Sequence, residues 1–148
     1  DLQILERLRN VSVPGLEILD VKTAEGKLSG IKWAENEIRF IYNLANENCA
    51  DEVNLLFKSP VIMNKKTKNG ETETNICEYI KKLTAVYDDE CGELVVNAVT
   101  AAEDGRFLNP EYIARAVENS LGFKNGIEGY HKIKRLRLLA EDGVSEFA

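Results

Sequence analysis

Cys49, Cys77, Cys91 and His131, the chain's three cysteines and single histidine, would on paper suit a zinc ion. Their spacing argues against it. No two cysteines stand about two to four residues apart, the separation that lets one loop present two ligands, and no cysteine run suits an iron–sulfur cluster. No metal and no cofactor is therefore expected. Cys77, beside Ile76, reads as a small core residue. To act as a base, His131 would need a facing cysteine, serine or carboxylate, which no local motif supplies, so a packing histidine is the simpler reading. Glu35, Glu37, Asp88, Asp89, Glu90 and Asp104 fall at predicted bends and strand ends, where solvated charge is expected rather than an acid–base pair. Gly126 and Gly129 in FKNGIEGYH precede no helix, so the loop lacks the dipole that holds phosphate. No catalytic residue is expected.

The basic residues offer more. Lys65, Lys66 and Lys68 crowd the bend in PVIMNKKTKNG, and Lys132, Lys134, Arg135 and Arg137 crowd the last predicted strand. They are the nucleic-acid-binding candidates, with Tyr130 as a stacking ring. Charged edge strands also keep sheets from pairing with one another, and that plainer reading competes. The formal net charge of -6 excludes a general phosphate-neutralising surface, so any such binding has to be local.

The elements that must position these residues come from periodicity and punctuation. Leu2, Leu5 and Leu8 predict a short helix ending before Pro14 and Gly15. Leu16 to Val21 reads as a strand, the Glu25-Gly26 pair as a turn, and Leu28 to Trp33 as a second extended piece. Ile38, Phe40 and Tyr42 share one face of a half-buried strand, with Glu37, Arg39 and Ile41 on the other. Asn48 is the expected cap of a helix carrying Val53, Leu56 and Phe57 inward and stopping at Ser59-Pro60. Val61 to Asn64 then runs extended into the Asn69-Gly70 hairpin signal.

Asn75 and Glu78 have the spacing of a capping box, and Ile76, Tyr79, Ile80 and Leu83 follow at helical intervals, which predicts a helix over 75–83. Thr84 to Tyr87 and Leu94 to Val99 read as strands about the bend Asp88 to Gly92. Asn109-Pro110 opens a helix that Gly122 ends, Tyr130 to Leu139 is the final strand, and Glu141 to Ala148 reads as a frayed tail.

With 148 residues, 44% of them hydrophobic, the chain has the length of one domain and needs no staples. From residue 35 the order is strand, helix, strand, an inserted helix and hairpin, strand, helix, strand. That order predicts an α+β, ferredoxin-like split βαβ sandwich over 34–140, with a helix-and-strand extension over 1–33 and a tail over 141–148. In that topology the second and last strands lie on opposite edges, which counts against one joint basic surface. An odd cysteine count fits a reducing compartment, hence the cytoplasm, and no run approaches the roughly 18 apolar residues of a membrane span, so no membrane partner is expected. The opening DLQILERLRN, helical and without methionine, predicts that a longer polypeptide continues upstream.

Pro14-Gly15 before LEILDV, the AENEIRFIY strand, the run KKTKNGETETNICEYIKKL, the strand Gly92 to Val99 and the Asn109-Pro110 helix opening together resemble a bacterial radical-SAM-linked domain family of unknown function. The likeness is to the C-terminal portion of that family, whose members carry a further ferredoxin-like half before it. Asn75 stands where the family has an aspartate, a change of charge that keeps a capping residue, and Arg135 matches an arginine of the family's last strand. The resemblance implies a non-catalytic accessory domain whose partner is a radical-SAM protein or the missing half of its own chain. RNA is the alternative partner. An enzyme in its own right ranks last, because no nucleophile and base are marked by spacing.

Overall fold

The computed structural model describes residues 2–21, 23, 26–67 and 70–147. After helix α1 (Leu2–Val11) and a single 3₁₀ turn (Leu28–Gly30) come strand β1 (Trp33–Tyr42), α2 (Glu47–Leu56), the hairpin β2 (Ile62–Thr67) and β3 (Gly70–Asn75), and a second 3₁₀ turn (Ile76–Tyr79). Then follow β4 (Ile80–Asp88), β5 (Glu93–Glu103), the short β6 (Arg106–Phe107), α3 (Glu111–Leu121) and β7 (Gly129–Leu139).

β1 organises the molecule. Every second residue, Ala34, Asn36, Ile38, Phe40 and Tyr42, is buried, the alternation expected of a strand covered on one face. It pairs antiparallel with β5 on one side and β7 on the other, and β4 closes the far edge, giving the order β4-β5-β1-β7. With the β2–β3 hairpin and β6 set aside, the chain runs strand, helix, strand, strand, helix, strand, which is the split βαβ arrangement. α2 (Cys49, Ala50, Val53) and α3 (Ile113, Ala114, Ala116, Val117) pack together on the face made by Ile38, Phe40, Leu94, Val96 and Ala98. The mixed α and β sandwich read from the sequence is therefore the observed class.

The predicted helix over 75–83 is absent. Asn75 does cap: its Oδ1 accepts from the Cys77 amide at 3.2 Å, but also from the Val61 amide at 3.1 Å, tying the turn to the start of the hairpin. One 3₁₀ turn follows, and from Ile80 the chain joins the sheet, with Leu83 opposite Ala98 and Ala85 opposite Val96. Ile76, Tyr79, Ile80 and Leu83 still reach the core, so a turn plus a strand meets the same apolar demand as a helix. It follows that β4, not Val61 to Asn64, is the sheet's second strand, and that the insertion is the hairpin.

Smaller corrections have equally local causes. α2 is capped by Asn46, whose Oδ1 accepts from the Cys49 amide at 3.3 Å, and not by Asn48. Leu16 to Val21 forms no strand; the Arg9 guanidinium donates to the Ile18 and Leu19 carbonyls instead. Leu28–Gly30 is a 3₁₀ turn before β1, and Glu25 of the predicted turn lies outside the described residues. Residues 141–147 of the predicted tail turn back on the sheet, and Ala148 lies outside the described residues. Phe147 N–H donates to the Leu138 carbonyl, and the Asp142 carboxylate, held at a pKa of about 2 by the Ser145 hydroxyl and the Val144 and Ser145 amides, turns the chain back along β7. α3 ends as read: Gly122 is left-handed at φ 69°, and the buried Phe123 donates its N–H to the Glu118 carbonyl.

Candidate functional site

None of the described residues before β1 is buried. α1 is amphipathic, yet none of its residues is buried, and Ile4, Leu8 and Val11 are 51%, 41% and 78% exposed. Leu16, Leu19 and Leu28 continue the exposed apolar series. Arg9 and Ser12 tie the helix back to residues 16–19 of the same arm, so it is ordered against its own extension. A helix with an uncovered apolar stripe at i, i+4, i+7 has the form of a segment that lies in a partner's groove.

His131 lies under α3, on the covered side of β7. Its side chain is 9% exposed, with Nδ1 2.6 Å from Glu118 Oε1 and Nε2 3.0 Å from Glu111 Oε2. The Tyr42 hydroxyl donates to the same Glu118 oxygen at 2.7 Å, and the Asn125 amide nitrogen is 2.9 Å from Nδ1. Burial alone would lower the imidazole pKa, but the hydrogen bonds and negative charge of Glu118 and Glu111 outweigh it, and the net shift is upward. Tyr42 is raised by burial and by Glu118. Both ring nitrogens are thus taken up in carboxylate contacts, which makes His131 a staple between β7 and α3 and leaves neither nitrogen for a substrate. Glu111 alone of the group lines a cleft of about 620 Å³ between the hairpin and α3, beside Lys66, Arg115 and Tyr112. Cys49 is buried on α2, Cys77 is partly buried in the second 3₁₀ turn, and Cys91 is exposed on the β4–β5 bend. Among the described residues no His, Cys, Asp and Glu group converges on a metal position.

The basic candidates divide between two places. On the hairpin, Lys65 Nζ donates to the Phe107 carbonyl and sits 4.3 Å from the Tyr79 ring centre, while the Lys66 amide donates to the Tyr112 hydroxyl at 3.0 Å. Lys68 lies outside the described residues. On β7, Lys132, Lys134 and Arg137 point to the uncovered face opposite Arg39, Glu37 and Glu35 of β1. Arg137 pairs with Glu35, and Lys132 lies 5.5 Å from the Tyr130 ring centre. A bulge between the Glu35 and Asn36 pairings puts Arg135 opposite Asn36, on the other side of the sheet from Lys134. Lys65 thus adjoins β6 and the turn before β4, Lys66 adjoins α3, and the β7 cations stand on the sheet edge opposite β4.

The uncovered face is closed by ion pairs. Arg39 lies within 3.0 Å of Glu37 and of Glu93 and 3.5 Å from Asp88, and Lys32 meets Glu103 at 2.8 Å. The Arg39 hydrogen bond, reinforced by its charge and that of Lys134, holds Glu37 below the usual carboxylate range. The acids at 35, 37 and 88 are therefore partners of arginine and not catalytic pairs. Sequence reading missed the Tyr42–Glu118–His131–Glu111 group, because its members come from three elements; the i, i+7 spacing of the two glutamates on α3 was the available signal.

No helix among the described residues is long and apolar enough to cross a membrane. Comparison with curated proteins and with solved structures returned no match. Residues 2–110, which take in the exposed arm, β1, the hairpin and the β4–β5 pair, match the family described as "Uncharacterized protein conserved in bacteria (DUF2344)", and the chain belongs to that family.

Proposed function

We propose that this chain is a non-catalytic accessory domain whose N-terminal arm docks on a partner protein. The observation that carries the reading is the arm itself: an amphipathic helix with none of its residues buried, followed by a segment that keeps Leu16 and Leu19 in solvent. An isolated helix of this length is marginal in water, and its stability comes from covering the apolar stripe. A partner groove supplies that cover. The resemblance drawn from the sequence names a radical-SAM protein as the partner, and the bond-making chemistry is its own. The acidic composition and unpaired thiols support a cytoplasmic setting.

The test is direct titration of the radical-SAM protein with this chain by calorimetry, using wild type and the double variant Ile4→Asp plus Leu8→Asp. Both positions are solvent-facing, so the variant keeps the wild-type melting temperature. Affinity falls at least about tenfold, the equivalent of about 1.4 kcal/mol. Binding of equal strength by the variant, or none by wild type, removes the reading.

A further inference from the structure

We propose that the β4 edge carries a binding site for single-stranded nucleic acid, built from cations and rings that alternate across four segments of the chain. Lys65 Nζ lies 4.3 Å from the Tyr79 ring centre; the Arg106 guanidinium carbon is 5.8 Å from Tyr79 and 5.2 Å from Trp33; Lys81 Nζ is 5.0 Å from Trp33. The order is cation, ring, cation, ring, cation. Beyond Lys81 the charge continues into a groove of about 490 Å³ between α2 and β4, where Lys58, Lys81 and Lys82 stand against Phe57, Ile80 and Leu83. Among the described residues no acidic side chain lines that groove.

What sets this row apart is how its charges are held. Arg106 Nη2 donates to the Glu78 carbonyl at 2.8 Å, Lys65 to the Phe107 carbonyl and Lys81 to the Asp142 carbonyl. Backbone dipoles and ring faces supply the closest contacts of these cations and fix them in place. Two carboxylates adjoin the row: Glu103, 3.7 Å from Arg106 and held more closely by Lys32 at 2.8 Å, and Asp142, which interacts with Lys81 but is bound by the Ser145 hydroxyl and the Val144 and Ser145 amides. On the uncovered sheet face, by contrast, Arg39 and Arg137 meet carboxylates directly. In a protein of net charge -6, Lys58, Lys65, Lys81, Lys82 and Arg106 are gathered along this edge, and such a cluster attracts polyanions.

Protection of the strand edge does not account for the arrangement. The Asn54 side chain already closes the middle of β4, donating to the Ala85 carbonyl at 2.8 Å and accepting from the Ala85 amide at 2.9 Å. The alternation instead suits a flexible strand, whose phosphates meet the ammonium and guanidinium groups while unstacked bases lie on Tyr79, Trp33 and the guanidinium plane. A duplex offers phosphates but no free base faces. The site shares only Lys65 with the basic residues marked in the sequence, and it does not use the docking arm.

The experiment is fluorescence anisotropy of the full chain with a labelled oligouridylate of about 12 nucleotides, at salt from about 50 to 200 mM. Wild type binds at low salt with a log–log salt slope of about -2 to -3, as expected for three or four phosphate contacts on a single strand. Lys81→Glu plus Arg106→Glu weakens binding at least tenfold with the far-ultraviolet circular dichroism of the folded chain retained, whereas Lys132→Glu plus Lys134→Glu changes it less than twofold. Lys58→Glu alone weakens it about threefold, a second readout at a residue outside the core. The site is overturned by any of three results: no anisotropy change for wild type at low salt, equal losses for the β4-edge and β7 variants, or equal competition by polyglutamate or a duplex of matched charge.

Discussion

At the scale of single residues, His131 and Asn54 do the most for the least visible sequence signal. His131 joins β7 to α3 through Glu118 and Glu111, with Tyr42 and Asn125 completing its surroundings. Its folded pKa is raised above the ordinary 6.5, so its stabilising contribution is full below that value and is lost as pH rises through the folded pKa. Thermal melting points are thus expected to fall as pH rises above about 6.5 in wild type and to be flatter in His131→Gln. An identical slope in the variant refutes the assignment. Asn54 stands in for a missing neighbour strand at Ala85. Asn54→Ala strips two partners from the β4 backbone and is expected to cost about 1–3 kcal/mol in urea denaturation, with the slope unchanged. A loss under about 0.5 kcal/mol means water replaces the side chain fully.

At the scale of elements, the contact of β7 with β1 begins at a position that tolerates no side chain. A Cβ on Gly129 would collide with the Ile41 carbonyl and come within 2.7 Å of the Tyr42 ring, so glycine is required there for space and not for a left-handed backbone. Gly129→Ala is expected to destabilise by about 1–3 kcal/mol, as overpacking does, and to disturb the neighbouring His131 resonances in NMR spectra. Unchanged stability and spectra show instead that β7 shifts freely. The segment 75–83 carries the chief lesson about reading elements. Its cap residue and apolar spacing were real, and both are used, but the cap ends a hairpin and the apolar residues feed a strand. Asn75, Glu78 and the residues between them define only the local turn. What the chain does after Tyr79 depends on β5, a partner in Glu93–Glu103 that a window of nine residues does not contain.

At the scale of the whole molecule, charge and apolar surface are sorted by region. The uncovered sheet face is a lattice of arginine–carboxylate pairs, the β4 edge holds Lys65, Lys81 and Arg106 mainly on backbone carbonyls and rings, with Glu103 3.7 Å from Arg106, and the arm keeps Ile4, Leu8, Leu16 and Leu19 in solvent. That sorting gives the two proposals separable tests, since changes at Ile4 and Leu8 leave the β4 edge intact and changes at Lys81 and Arg106 leave the arm intact. The sandwich class, β1 with its two faces, the β4–β5 bend, α3 with its Gly122 ending and β7 were all legible, because alternation, helical periodicity and turn chemistry act over a few neighbouring residues. The amino-acid order by itself determined those pieces and the chain's acidic balance. Only the tertiary structure decided that 80–88 is a strand, that His131 meets two glutamates, and that Lys65, Arg106 and Lys81 share rings, because each depends on which distant segment the sheet brings alongside. Sheet pairing and through-space charge act between neighbours in space, and the sequence states who is adjacent in the chain only.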